Sequence, residues 1–163
     1  MNGPIDLATP LGVTVALLPE VLLTVCAMGV LLVVSWRHRT AADSRLAGWL
    51  SLAGLVIAGA GLAFLWRSGA TPLGIPQMVA LDTFRYASGG VFLLAAAGTI
   101  LLAMSYLERE GMLAPEFFVL ILLATAGMMF MAGAQDLIVL FLGLEVMSVA
   151  VYVLAGYDRS SAF

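Results

Sequence analysis

The chain has 163 residues, 63% of them hydrophobic and 10% charged, with a net charge of −3 and a mean hydropathy of +1.09. A soluble domain averages roughly 45–50% apolar and about 25% charged residues, so this chain has too few polar side chains to cover a water-facing surface and is a membrane protein. It contains no lysine, and the negative balance excludes a basic nucleic-acid footprint.

Five apolar runs of helical length follow one another, at about 17–36, 46–66, 84–107, 117–134 and 137–156. A spanning helix takes about 20 residues, so five helices and their loops use most of the chain and leave no room for a soluble catalytic domain. Residues 1–163 thus read as a single transmembrane helical domain. Charge or turn residues bound the runs: Arg37-His38-Arg39, the stretch from Gly69 to Pro76, Glu108-Arg109-Glu110-Gly111, and Gln135-Asp136. Hydrocarbon offers no partner to a bare N–H or C=O, so continuous runs predict α-helices. A transmembrane barrel would need alternating segments of about 10 residues. The predicted fold class is all-α, a bundle of about five transmembrane helices. The two-residue link between the last two runs makes them an antiparallel hairpin.

Arginine sets the expected orientation. With the N-terminus outside, Arg37, Arg39, Arg45, Arg109 and Arg159 fall inside, and Arg67 and Arg85 fall at the outer side. Five against two predicts N-out, with Phe163 cytoplasmic. Met1 to Pro10 carries Asp6 and neither Lys nor Arg, so it lacks the positive region of a secretory signal. One cysteine, Cys26, allows no intrachain disulfide. One cysteine and one histidine cannot assemble a zinc, haem or iron–sulfur site. No cofactor is expected in this chain.

Small residues recur four apart at Gly54 and Ala58, and at Ala95, Thr99 and Ala103, a spacing that lets membrane helices approach closely. Met128, Met129 and Met131 read as soft gap-fillers of the bundle.

Acids within apolar runs carry the most information, because an ionised group at the bilayer centre costs roughly 2.5–3.5 kcal/mol even on the lenient insertion scale. Glu20 follows Pro19, which suits a first helical turn near the outer interface. On this reading Glu20→Gln loses only a dipole interaction of about 0.3–1 kcal/mol. Asp136 lies in the hairpin link and suits an N-cap. Both are read as structural acids. Glu145 differs: at 1.5 Å per residue it lies about 12 Å along its helix from Leu137, close to the membrane midplane. Ser148 and Tyr152 share its helix face and form a polar stripe with it. Interhelical hydrogen bonding by a protonated Glu145 is the structural alternative. The functional reading makes Glu145 a proton-titratable site facing a hydrated bundle interior, with any cation partner supplied from elsewhere.

From Glu116 onward the order of residues becomes distinctive. Glu116-Phe117-Phe118 and Gly127-Met128-Met129 are followed by Ala134-Gln135-Asp136-Leu137. Then come Phe141-Leu142-Gly143-Leu144-Glu145-Val146-Met147-Ser148 and Tyr152-Val153-Leu154-Ala155-Gly156-Tyr157. Together with Pro19-Glu20 and Asp82, this pattern resembles the antiporter-like membrane subunits of proton-pumping NADH–quinone oxidoreductase (respiratory complex I), subunit N among them. The resemblance implies the N-terminal portion of an antiporter-like fold, in which inverted repeats each carry a broken helix. It implies that Glu145 matches a glutamate paired, in the family, with a lysine two helices further on. Lysine-bearing helices have no counterpart here, so the chain reads either as the first part of a longer subunit or as a shortened homologue. The expected function is participation in proton translocation as a membrane-arm subunit without redox chemistry of its own. Flavin, iron–sulfur clusters and quinone are expected in partner subunits, with other membrane subunits and lipid as the contacts. A bacterial inner (plasma) membrane is the expected location. The alternatives are a shortened structural or accessory subunit, and a related antiporter or membrane hydrogenase subunit.

Overall fold

Backbone polar groups that cannot reach water must pair within their own segment, and the apolar runs do so as helices. The computed structural model describes residues 5–6, 10–36, 41–68, 72–73, 78–110 and 115–157. In chain order these form β1 (Ile5–Asp6), α1 (Pro10–Ala16), α2 (Leu18–Trp36), α3 (Ala41–Ser68), β2 (Pro72–Leu73), α4 (Thr83–Arg109), α5 (Pro115–Gly133) and α6 (Leu137–Ala155). Helices α2 to α6 are each long and apolar enough to cross a membrane. The all-α membrane class and the five spans read from the sequence are those observed.

The differences lie at the ends. Helix α3 starts at Ala41, five residues ahead of the apolar run, with Asp43 in its first turn. An acid there suits the helix dipole. Helix α1 and the two-residue parallel pairing of Ile5 with Pro72 and Asp6 with Leu73 are absent from the sequence reading. The first turns of α2 run on from α1: Leu17 N–H donates to Val13 O at 3.0 Å, and Val21 N–H donates to Leu17 O at 2.9 Å. Arg37, Arg39, Arg159 and Phe163, on which the orientation argument partly rests, lie outside the described residues.

Helix α5 is the hub, packing against α2, α3, α4 and α6. Its spanning window is 56% buried, against 11% for α6, which sits at the periphery on α5. The core is built from Leu23 and Ala27 of α2, Leu55 and Ala58 of α3, Leu93 and Ile100 of α4, and Phe118 and Leu122 of α5. Around it the surface is apolar: Leu32, Val56, Leu94, Leu102 and Leu137 are all more than two-thirds exposed. Such a surface suits lipid. Trp36 and Trp66, exposed at opposite ends of α2 and α3, fit interfacial belts.

Glycine makes the α5–α6 hairpin possible. A Cβ on Gly127 would meet Met147 N at 2.7 Å and Gly143 O at 2.8 Å; one on Gly143 would meet Gly127 O at 3.0 Å. The two backbones therefore touch. A Cβ on Gly54 would meet the Cβ of Cys26 at 2.9 Å, and Ala58 is fully buried, so that expected stripe packs. The stripe on α4 does not pack within these spans. Ala95 and Thr99 are exposed and Ala103 is half-buried, and Thr99 Oγ1 donates to the carbonyl of Ala95 within the helix. Met129 fills the core as expected, whereas Met128 and Met131 line an open groove of about 660 Å³ between α4, α5 and α6.

Candidate functional site

Helices α2 and α4 begin at the same end of the bundle, and each places a charged side chain in its first turn. Asp82 is the N-cap of α4, with extended backbone, and its Oδ1 accepts the N–H of Arg85 at 2.8 Å. This cap fixes where Arg85 departs from the helix. Arg85 Nη2 donates to Glu20 Oε1 at 2.8 Å and to Ala16 O, the last residue of α1, at 2.8 Å. Arg85 Nη1 donates to Ala80 O at 3.0 Å. Glu20 and Arg85 are 1% and 2% exposed, so the ion pair is desolvated. The planar fork of a guanidinium suits such convergence of one carboxylate and two carbonyls; a lysine ammonium would lack the span.

The same guanidinium closes over the end of α5. A Cβ added to Gly133 would meet Arg85 Nε at 2.8 Å and Cδ at 2.9 Å, so only glycine leaves space for the arginine stem. The segment ahead of α4 is laced to the α5–α6 turn as well. Ala80 N–H donates to Gly133 O at 2.8 Å, and Gln135 N–H donates to Met78 O at 3.1 Å, on either side of an antiparallel bridge between Val79 and Ala134. Beside Arg85, Tyr86 is buried and stacks on Trp66 at 6.5 Å between centroids.

Glu20 thus occupies the first helical turn, as read from Pro19-Glu20, but the surroundings correct the reading of an interfacial acid serving a dipole. It is buried and bound to Arg85. Arg85 was counted from the sequence as an outer-side charge, and its role was missed. The available signal was a cation three residues after Asp82, inside an apolar run, at the same predicted bundle end as an acid of opposite sign.

The second group of polar residues lies on α6. Asp136 is its N-cap, accepting the N–H of Ile138 through a long contact of 3.4 Å. At the other end Tyr157 Oη donates to Glu116 Oε2 at 3.1 Å, and its ring meets Phe117 edge-on, which ties the end of α6 to the start of α5. Gly143 and Ala150 are buried toward α5. Glu145, Ser148 and Tyr152 fall on the opposite side of the helix: Glu145 is exposed, Ser148 half-buried and Tyr152 73% exposed. Within the described residues Glu145 does not face the interior of these five spans, contrary to the expectation from its depth. The physical reason is the Gly127–Gly143 crossing, which commits the face of α6 carrying Gly143 to α5 and turns the stripe away. The structure brings the three stripe residues to one face and keeps them apart from the Glu20–Arg85 pair.

Five lipid-compatible spans, a desolvated ion pair closing one end and a mid-helix carboxyl on an open face define a multi-pass helical-bundle membrane protein. No family model matches the sequence. Curated relatives do. The chain is 42% identical over 148 residues to NADH-quinone oxidoreductase subunit N of Trichlorobacter lovleyi, covering 89% of this chain and 29% of that protein. It is 41% identical over 160 residues to subunit N of Gemmatimonas aurantiaca, covering 90% and 30%. NAD(P)H-quinone oxidoreductase subunit 2 of a Nostoc species is 36% identical over 143 residues, covering 88% and 27%. The chain is therefore homologous to subunit N of NADH–quinone oxidoreductase, a membrane subunit of complex I, along most of its own length. It spans less than a third of the length of these relatives.

Proposed function

We propose that the chain takes part in proton translocation as a portion of a subunit N in the membrane arm of an NADH–quinone oxidoreductase. Glu145 is the titratable group. The chain performs no electron transfer; partner subunits holding flavin, iron–sulfur clusters and quinone supply the driving energy, and neighbouring membrane subunits and lipid surround it. The arginine distribution supports N-out insertion, and the resemblance to bacterial subunit N supports a bacterial plasma membrane.

One observation carries this reading: an acid halfway along α6 stands on the face turned from α5, with Ser148 and Tyr152 beside it. Left to hydrocarbon, that carboxyl would cost several kcal/mol when ionised. The face therefore calls for a cover that can hold water or a cation, and the length of the relatives beyond the matched part provides for one. A carboxyl under such a cover can take up a proton and give it back. A permanently neutral side chain cannot do this.

Glu145→Gln in the intact complex is the test, because the amide keeps size and hydrogen bonding and removes titration. Assembly is expected to be normal, with proton translocation per NADH oxidised reduced in sealed vesicles. Glu145→Asp is expected to retain more translocation than the amide. Equal translocation by wild type and Glu145→Gln would overturn the reading and leave Glu145 as an interhelical hydrogen-bonding group.

A further inference from the structure

We propose that Arg85 is a positioning residue for Glu145, acting as a clasp that sets the α5–α6 turn and through it the placement of α6. The inference rests on the role given to Glu145 above. Four observations carry it. Arg85 joins two separate pieces at one point: the α1–α2 junction, through Ala16 O and Glu20, and the segment before α4, through Ala80 O. Its stem occupies the space left by the missing side chain of Gly133, the last residue of α5. Residue Ala80, held by Arg85 through its carbonyl, donates its own N–H to Gly133 O, and two residues away Met78 O accepts from Gln135. Asp136, next to Gln135, caps the helix that carries Glu145.

The path from Arg85 to α6 is therefore a short, continuous series of hydrogen bonds and one backbone-to-side-chain fit. It matters because, among the described residues, α5 is the helix on which α6 packs. Its spanning window is 11% buried, so its rotation and depth follow α5 through the hairpin contact, the Gly127–Gly143 crossing and its two ends. The far end is fixed by Tyr157 and Glu116, and the near end by the clasp. The guanidinium, 2% exposed, serves all three acceptors through its two terminal nitrogens, which its planar fork allows and an ammonium does not. A side chain of equal charge and different shape would let the turn move without altering the electrostatics of the bundle end. A carboxyl whose proton transfers depend on reaching a partner is sensitive to displacements of the order of an ångström.

Arg85→Lys and Gly133→Ala test this in the intact complex. The first keeps the charge and removes the fork; the second keeps both charges and displaces the stem. The expected results are an assembled complex, amide exchange at Ala80 and Gln135 faster by about tenfold, the factor lost with one charge-assisted hydrogen bond, and a shifted pH profile of proton translocation. Combined with Glu145→Asp, Arg85→Lys is expected to give less than the product of the two separate losses. Glu20→Asp, which withdraws the carboxylate from Arg85, is expected to do the same and takes the place of Arg85→Lys should that variant fail to assemble. Wild-type translocation in these variants would overturn the proposal. So would reduced translocation with an unchanged pH profile and independent effects of Arg85→Lys and Glu145→Asp, since a purely structural arginine predicts that outcome. Were Glu145→Gln alone to translocate as wild type, the role of Glu145 would fall. Exchange at Ala80 and Gln135 would then still report whether the clasp holds the turn.

Discussion

Glu20→Gln separates a buried ion pair from an interfacial acid. The substitution removes the negative charge facing Arg85 and leaves a 2% exposed guanidinium with neutral acceptors in place of its ion-pair partner. Removing one partner of a buried pair costs about 3–5 kcal/mol, because the remaining charge stays desolvated. An acid serving only the helix dipole would cost about 0.3–1 kcal/mol. The gap is wide enough for one measurement to decide. The readout is the midpoint of thermal disassembly of the purified complex in detergent or nanodiscs, compared among wild type, Glu20→Gln, Arg85→Gln and the double variant. Each single variant should melt well below wild type, and the double should recover much of the loss, because no isolated charge remains. Glu20→Gln within about 1 kcal/mol of wild type would refute the argument. So would a double variant showing the plain sum of the single losses, since contacting groups in one network are expected to couple.

Gly127→Ala and Gly143→Ala, which force a methyl against backbone across the α5–α6 crossing, should each lower stability by about 1–3 kcal/mol. Gly90→Ala and Gly98→Ala, where the added atom meets nothing within 4 Å, should be neutral or slightly stabilising in the same melt, as alanine suits helices better. For topology, cysteines replacing the exposed Glu110 and Arg67 in a Cys26→Ala background should label from the cytoplasmic and outer sides respectively; the reverse pattern would overturn N-out. The Arg45–Glu108 pair joins α3 to α4 at 3.0 Å, yet both side chains are more than half exposed, so Arg45→Ala should lower stability in the same melt by only about 0–1 kcal/mol.

What the sequence disclosed and what it withheld divide along one physical line. Hydropathy over about 20 residues determines whether a segment spans, and it is a property of each segment alone. The five spans and the α5–α6 hairpin were legible for that reason, and so was the capping position of Asp136. Partner choice between segments is not local. Glu20 and Arg85 lie 65 positions apart, and each has a sufficient local account: a first-turn acid after proline, and a cation at a helix entrance. Each local account is compatible with exposure, so neither reveals that the two are buried against each other. Gly133 is a sharper case, because glycine at the end of a helix already has a local explanation as a terminator. Here its missing side chain is the space through which Arg85 passes.

Glu145 shows the complementary effect. Its place halfway along α6 was available from counting residues, and its direction was not, because direction is set by which face of α6 meets α5. Gly127 and Gly143 decide that by bringing the two backbones into contact, and they fix the carboxyl on the far side, outside the packing of these five spans. An acid at mid-depth on an uncovered face is unfavourable in lipid, whereas the same acid beside added helices or a hydrated path is usable. The placement that makes Glu145 costly to this bundle alone is therefore the placement that makes it available to whatever covers α6.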